Sequence, residues 1–403
     1  MKTIIRTLIF LVTVVLVHAS VRAQSAPMAA NRTKEISDLN DSGANIYKKK
    51  AEYIYHLIML HYSVPGTDFL NENFPKQPCD RKVAYMWPFS GMVTSIGILK
   101  QLGVTDTSFK KIETGIDEYW SDKKGLPGVE SYPPTYGGDK RFYDDNATVG
   151  LDYLENYKAT KNQHFLNQAE KCIAFDFTGE SSDCGGGIFW NEEDKSPDSA
   201  NYIKATCSSS FSVTLALKLY VITKKPKYLD FGKRVYAWIR MKLQDPRDLI
   251  YWNDIAIKGC MPNKTKWTYN SGAMLSNAVL LYQITKENQY LNDAKALAAA
   301  SFNYFTSTSP KLERKFPDHD PWFTAVLFRS YLDFYKIDPN KSREYIDALI
   351  RNVDFAWKYA RTPAGFFYED WSGEKKGRYY WLLNQACMVE IYGRIALFKK
   401  NNQ

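Results

Sequence analysis

Two acidic residues stand side by side in the stretch RFYDDNATVGLDYLENYKATK, which runs from Arg141 to Lys161 into an amphipathic helical pattern. Asp144 and Asp145 could cap that helix, because carboxylates are favoured at the positive end of a helix dipole. They could also hydrolyse a glycosidic bond, one carboxylate attacking the anomeric carbon while the other protonates the leaving oxygen. Capping is the commoner role, so the choice between the two depends on the rest of the chain.

Twelve helical patterns are available to position these acids. Their approximate ranges are 48–62, 88–102, 108–121, 145–160, 163–176, 205–223, 226–243, 270–285, 288–306, 321–336, 342–360 and 381–399. Convincing strands are scarce, and the stretches GGGIFWN and GFFYEDW allow short hairpins at most. A motif Y-x-x-T-K-x-x-x-(Y/F)-L recurs at Tyr157, Tyr220 and Tyr282, which indicates repeated helical hairpins joined by long return loops.

Six hairpins that each bury one face against their neighbours predict an all-α protein, a single-domain (α/α)6 barrel. In such a ring the even-numbered helices all begin at the same end. The unusual motifs of the chain stand at those helix starts, namely MWPFSG, YDDN, KATCSSS, WTYNSG, DHDPWF and YYWLLNQA. We therefore expect a functional site at this end, with walls built by aromatic loops such as GVESYPPTYGGDKRF.

The N-terminus predicts export. Lys2 and Arg6 precede an apolar run over residues 8–17, and Ala23 suits cleavage, so residues 1–23 are predicted to be a signal peptide. Residues 24–45 are predicted to be a flexible segment and residues 46–403 the barrel domain. After cleavage we expect a soluble protein without a membrane anchor, either periplasmic or secreted.

Composition narrows the function classes. A net charge of +9 is modest and is not gathered into a basic run, which gives a nucleic-acid role little support. The six cysteines are scattered, so disulfides are possible but their pairing cannot be inferred. No CxxC or His-rich spacing suggests a metal, and hydrolysis by paired carboxylates needs no cofactor. We expect no metal, no cofactor and a monomeric protein.

Several motifs together resemble glycoside hydrolase family 76, the endo-α-1,6-mannanases, over nearly the whole mature length. They are WPFSGM, YPPTYGGDKRFYDDN, CGGGIFWNEED, YLDFGKRVYAWI, LQDPRDLIYWNDI, WTYNSGAML, WFTAVLFRSYLDF and LLNQA. The resemblance implies an (α/α)6 fold and an enzyme that hydrolyses α-1,6-mannosidic linkages inside mannan or its oligosaccharides with retention of configuration. It also implies that Asp144 is the nucleophile and Asp145 the general acid/base.

The chemistry constrains how this acid pair is held. Retaining hydrolysis wants the carboxyl groups roughly 5 to 5.5 Å apart. Adjacent side chains on a helix diverge, so we expect Asp144 and Asp145 on the non-helical segment that leads into the fourth helix. Their crowding should raise one pKa of a coupled pair. Asn146 could orient one carboxylate or cap the helix, and the sequence leaves both roles open.

Other positions match family motifs at the substrate end. The predicted substrate contacts are Trp87, Tyr143, Asn146, Trp190, Asn191, Tyr269, Asn270 and Trp322. A Trp at a helix start, as at Trp87 and Trp322, is also an ordinary packing residue. Two positions depart from the family pattern, because Ser209 and Asn253 stand where relatives tend to carry Asn and Asp. Asp254 is a candidate substitute for the latter.

Two other functions remain open. Rings of this fold also host uronyl hydrolases and sugar epimerases. The chain has five His, and only His319 lies in one of the motif loops, which disfavours a His-based epimerase. A non-catalytic mannan-binding or glycan-binding protein would keep the aromatic cleft without turnover, and the retention of both Asp144 and Asp145 argues against it.

Overall fold

The structure is a computed structural model that describes residues 43–194, 196 and 199–402. The predicted signal peptide, 1–23, and most of the predicted flexible segment, 24–45, lie outside the described residues. Twelve α-helices are present in this part of the chain, and the first begins before the predicted domain start at residue 46. They are α1 (Ala44–Tyr62), α2 (Met86–Gln101), α3 (Phe109–Asp117), α4 (Tyr143–Thr160), α5 (Gln163–Phe177), α6 (Thr206–Thr223), α7 (Pro226–Leu243), α8 (Thr268–Thr285), α9 (Asn288–Phe305), α10 (Pro321–Tyr335), α11 (Pro339–Tyr359) and α12 (Leu382–Asn401). None of these helices is long and apolar enough to span a membrane.

The even-numbered helices form an inner ring. Each contacts the next even-numbered helix, and α12 contacts α2, so the ring is closed. An inner helix such as α6 is buried on nearly all sides, because it packs against the ring centre and the outer layer together. An outer helix such as α11 buries only one face. The arrangement confirms the predicted all-α (α/α)6 barrel.

The Y-x-x-T-K motif builds three short turns at one end of the ring. Lys161, Lys224 and Lys286 end α4, α6 and α8 in the left-handed conformation, with φ of 57°, 59° and 63°. In each copy the lysine backbone N–H donates to the carbonyl of the motif tyrosine. The lysine ammonium lies over that tyrosine's ring, at 5.4, 5.5 and 5.7 Å from its centroid. The threonine hydroxyl donates to a carbonyl of the last helical turn. These contacts reverse the chain within two residues.

Long connections occupy the opposite end of the ring. They span residues 63–85, 118–142, 178–205, 244–267, 306–320 and 360–381. Within the described residues these connections carry short antiparallel strands in four sheets. The pairings are β1 (Asn73–Phe74) with β9 (Tyr380–Trp381), β2 (Trp120–Ser121) with β3 (Gly128–Val129), β5 (Trp252–Ala256) with both β4 (Ile203–Ala205) and β6 (Met261–Lys266), and β7 (Ser307–Ser309) with β8 (Glu313–Lys315).

The three-stranded sheet is a feature that the sequence did not predict. Strand β6 has the sequence MPNKTK and is mostly exposed, so it lacks the apolar alternation that marks a strand. The stretch GGGIFWN, considered for a hairpin, makes only isolated bridges, such as the one between Phe189 and Lys204. A disulfide between Cys184 and Cys260 joins the connection before β4 to the turn between β5 and β6. This link supplies a pairing that the cysteine spacing left open.

Candidate active site

A cavity of about 570 Å³ opens at the end of the ring that carries the long connections. Five of the six inner helices contribute residues at or near their N-termini, and Trp381 lies immediately before the first residue of the sixth, α12. Lining residues include Trp87, Asp144, Asp145, Cys207, Phe211, Tyr269, Trp322, Phe323 and Trp381, together with Trp190 and Asn253 from the connections. Segments remote in sequence therefore converge on both acids of the predicted pair.

The acid pair lies within the first turn of α4, not on a non-helical segment before it as we had expected. Helix α4 begins at Tyr143, after Phe142 in an extended conformation. Side chains of a helix tilt toward its N-terminus, and this N-terminus opens directly on the cavity. Asp144 and Asp145 can therefore both reach the cavity although they diverge around the helix axis. The positive end of the helix dipole also favours a carboxylate here.

Asp144 is held by three donors. Its Oδ2 accepts hydrogen bonds from the Trp190 indole Nε1 at 3.1 Å and from the Cys207 thiol at 3.1 Å. Its Oδ1 accepts from the backbone N–H of Asp145 at 3.1 Å. Burial raises the pKa of Asp144 above its usual range, and the three donors oppose that rise by stabilising the ionised form.

Asp145 has a different environment. Burial raises the pKa of Asp145 well above its usual range, and the negative charge of Asp144 raises it further. The three donors to Asp144 stabilise a negative charge there, so a charge shared by the two neighbouring groups is favoured on Asp144. The site can thus present one carboxylate and one carboxylic acid to the same bond.

Aromatic rings form much of the cavity wall. Trp87 makes edge contacts with Trp322 and Trp381, each at 5.3 Å between ring centroids, and lies nearly parallel to Phe323 at 6.2 Å. Tyr269 contacts Phe323 at 4.2 Å. Flat apolar faces beside polar tips suit the ring of a sugar. Trp87, Trp190, Tyr269 and Trp322 are thus the predicted substrate contacts that the structure places in the cavity.

Two predicted contacts next to the acid pair do not line the cavity. Tyr143 is buried and stacks on Phe175 at 4.9 Å. Asn146 is also buried; its Oδ1 accepts from the Val129 N–H at 2.8 Å and its Nδ2 donates to the Phe142 carbonyl at 2.8 Å. Asn146 therefore neither orients a carboxylate nor caps α4, because it is committed to holding strand β3 against the helix.

The other two predicted contacts are also internal. Asn191 forms a side-chain turn in which its Oδ1 accepts from the backbone N–H groups of Glu193 and Asp194. Asn270 is fully buried and donates through Nδ2 to the Oδ1 of Asn253 at 3.2 Å. Both amides shape the backbone behind the cavity, and neither lines it.

The two departures from the family pattern have different outcomes. Ser209 is buried away from the cavity, and its Oγ accepts from the Ile188 N–H at 3.0 Å, so it supports the backbone after the glycine turn. Asn253 lines the cavity, accepts from the Tyr269 hydroxyl at 3.3 Å, and donates to Asp254 Oδ2 at 2.8 Å. Asp254 therefore lies behind Asn253 and does not take its place.

Sequence reasoning missed Glu72, Trp381 and Cys207. Glu72 lines the cavity and accepts from the Trp381 indole at 2.6 Å and from the Tyr85 N–H at 2.7 Å. Burial raises the pKa of Glu72. Glu72 thus ties together the chain segments before α2 and α12. Trp381 and Cys207 lie within motifs noted at helix starts, whereas nothing in the sequence around Glu72 marks it.

Comparison with known sequences gives a family model and a curated relative that match this chain. The model of glycosyl hydrolase family 76 matches residues 46–402. A curated relative, the mannan endo-1,6-alpha-mannosidase DCW1 of Candida glabrata, is 29% identical over 133 residues, which are 32% of this chain and 29% of the relative. The aligned part is thus less than a third of that relative's length.

Solved structures share the fold over most of the chain. A family 76 glycoside hydrolase (mannosidase) from Bacteroides thetaiotaomicron is 25% identical, with a TM-score of 0.80 over 89% of this chain and 100% of the other. An inactive variant of the α-1,6-mannanase of Salegentibacter sp. HEL1_6, with two consecutive aspartates changed to asparagine, was solved with α-1,6-mannotriose. It is 21% identical, with a TM-score of 0.71 over 87% of this chain and 99% of that one, and this likeness shows the fold. Because the family model covers nearly all of the barrel, the chain belongs to glycosyl hydrolase family 76.

Proposed function

We propose that the protein is an endo-acting, retaining glycoside hydrolase that cleaves α-1,6-mannosidic linkages in mannan. The observation that carries the proposal is the placement of Asp144 and Asp145 together in one aromatic-walled cavity, with Asp144 held by three hydrogen-bond donors. Membership of family 76 supports it. Further support comes from a curated relative that is a mannan endo-1,6-alpha-mannosidase and from a structural relative whose inactive form lacks two consecutive aspartates.

The proposed reaction has two steps. In the first, the Asp144 carboxylate attacks the anomeric carbon and the glycosidic C–O bond breaks, while Asp145 gives its proton to the departing oxygen. A covalent glycosyl ester on Asp144 results. In the second step the Asp145 carboxylate takes a proton from water, the water oxygen attacks the anomeric carbon, and Asp144 leaves. Two inversions give net retention of configuration.

The donors around Asp144 suit both steps. Trp190 and Cys207 stabilise its negative charge before attack and again as the ester is hydrolysed. Burial and the neighbouring charge raise the pKa of Asp145, which favours the protonated form that a general acid needs. A sugar bound against Trp87 and Trp322 would lie in the same cavity as both acids.

The test measures new reducing ends on linear α-1,6-mannan. We expect wild-type turnover with the α-anomer as the first product seen by NMR, and a loss of about a hundredfold or more for Asp144→Asn and for Asp145→Asn. Asp230→Asn, which changes an exposed aspartate on the outer helix α7, is the matched control and should keep full activity. Activity that survives either change in the pair would refute the assignment, and binding without turnover by the wild type would indicate a non-catalytic binder.

We also propose that the protein acts outside the cytoplasm as a monomer, in the periplasm or after secretion. The signal-peptide pattern over residues 1–23 supports export. The disulfide between Cys184 and Cys260 fits an oxidising compartment. N-terminal sequencing of the exported protein should find Gln24 as its first residue. Light scattering should give the mass of one chain.

A further inference from the structure

A second cavity, of about 400 Å³, lies beside the catalytic cavity at the same end of the ring. Trp381 lines both cavities and therefore lies at the boundary between them. The second cavity is built from the 306–320 and 360–381 connections and from the first turn of α12. The proposed reaction assigns it no role.

Aromatic side chains form one side of this second cavity. Tyr368, Tyr379 and Tyr380 line it together with Trp381. Tyr380 is held firmly, since its ring stacks on Phe366 at 5.2 Å with an interplanar angle of 6°, and strand β9 pairs with β1. Tyr379 is 45% exposed at the opening, which leaves its ring available to a ligand. The cavity thus offers the kind of aromatic surface on which sugars pack.

A buried polar group in the same cavity lacks a partner. Asn384, in the first turn of α12, lines the cavity and is 8% exposed. Its Oδ1 has no hydrogen-bond partner among the described residues. An unpaired buried polar atom is costly, and no network fixes which way this amide points. Rotation of this unpaired amide would let it accept a hydrogen bond from, or donate one to, a ligand hydroxyl group in the cavity.

The charged side chains of the cavity favour an uncharged ligand. Asp318 and Lys375 form an ion pair at 2.8 Å. Glu369 accepts from the Asp320 N–H at 3.0 Å, and Asp370 accepts from the backbone N–H groups of Ser372 and Lys375. The exposed Lys376 adds a second positive charge to the lining. Acidic and basic groups are thus mixed, so the cavity favours neither a strongly anionic nor a strongly cationic molecule.

We propose that this second cavity binds a mannose residue of the substrate, against Tyr379 and within reach of the Asn384 amide. The inference rests on the proposed function, because it takes the substrate to be a mannan. Two sources offer the same neutral, hydroxyl-rich ring. One is a main-chain mannose that lies beyond Trp381 from the catalytic cavity, and the other is a mannose side branch.

Chain-length dependence tests the proposal and separates the two sources. The substrates are linear α-1,6-mannooligosaccharides of increasing length and a branched mannan. We expect Tyr379→Ala and Asn384→Ala to leave kcat/KM on the shortest cleaved oligosaccharide unchanged. If the cavity takes a main-chain residue, both variants should lower kcat/KM on the longest linear substrate about three- to tenfold. If it takes a branch, the same loss should appear only on branched mannan.

The control and a binding experiment keep the result decisive. Tyr304→Ala changes a tyrosine of matched exposure, 49%, on the outer helix α9 and should have no length-dependent effect. Calorimetric binding of the same sugars to the Asp144→Asn/Asp145→Asn variant, with and without Tyr379→Ala, does not require turnover. If Tyr379→Ala left the affinity for every sugar unchanged, or lowered the affinity for all of them equally, the second sugar site would be overturned. A wild type without turnover would instead overturn the proposed function.

Discussion

Replacing the buried acid Asp152 should change how stability depends on pH. Asp152 lies on α4, below the acid pair, and is 2% exposed beside a small cavity of about 40 Å³ at the ring centre. Its Oδ1 accepts from the Thr94 hydroxyl, and its Oδ2 has no partner among the described residues. Burial raises the pKa of Asp152 to about 8, against the opposing effects of Thr94 and the positive charge of Arg329.

The size of the effect follows from that pKa. The unfolded chain should titrate Asp152 near 3.8, so the folded protein holds this proton more tightly up to about pH 8. Stability from the protonated group is therefore fully present below about pH 3.8 and is lost as the pH rises to 8. At about 1.36 kcal/mol per pH unit, the total loss is about 6 kcal/mol. An asparagine keeps an acceptor for Thr94, does not titrate, and lacks this loss.

Urea unfolding followed by tryptophan fluorescence at pH 5 and pH 8 measures the difference. Over this interval the wild type should lose about 4 kcal/mol more of its unfolding free energy than Asp152→Asn does. The exposed replacement Asp230→Asn should follow the wild type. Parallel pH profiles for the wild type and Asp152→Asn would show that Asp152 is not protonated in the folded protein, and would refute the reasoning.

Three further predictions concern the site and the disulfide. Cys207→Ala should move the acid limb of the kcat/KM pH profile about half to one pH unit higher, because a donor that lowers the pKa of Asp144 is lost. Cys207→Ser should restore the wild-type profile, and an acid limb that does not move in Cys207→Ala would contradict this. Trp190→Phe keeps an aromatic ring but removes the other donor to Asp144, so kcat should fall about tenfold or more in steady-state assays; an unchanged kcat would mean that this hydrogen bond does not support the reaction. Replacing Cys184 and Cys260 by Ser should lower the unfolding free energy by about 4 kcal/mol in urea titrations, given their separation of 76 residues, and a protein of unchanged stability would count against the link.

The helices and their order could be predicted from the sequence because local patterns determine them. In the Thr-Lys turn the threonine hydroxyl, the left-handed lysine and the tyrosine ring all lie within five positions. The turn can therefore be recognised from a short stretch of sequence. Strand β6 could not be predicted in the same way. Its polar residues pair with β5 across a turn that contains Cys260, and a disulfide links this turn to the remote Cys184. A contact between remote segments does not appear in a one-dimensional pattern.

The part of the site that could be predicted consists of residues whose type suggests chemistry and which stand in a motif at a helix start or in a long connection. Asp144 and Trp190 stand in motifs whose residue types suggested their place at the mouth of the ring. Tyr143 and Asn146 do not line the cavity, because neighbouring residues on a helix point in different directions and these two side chains point into the packed interior. Glu72 was missed because it acts through partners that are remote in the chain, and the sequence shows no periodicity there.

The two-residue turns at the closed end have a consequence for how such proteins can change over evolutionary time. Lys161 and Asn162, with their counterparts in the other copies, join the inner and outer helix of one hairpin at the end of the ring opposite the long connections. Insertions or deletions in the 63–85 or 360–381 segments should therefore alter which polysaccharide fits while leaving the scaffold's geometry unchanged. New specificities can arise on this frame by exchanging segments of different length, and the same frame can tolerate many such exchanges.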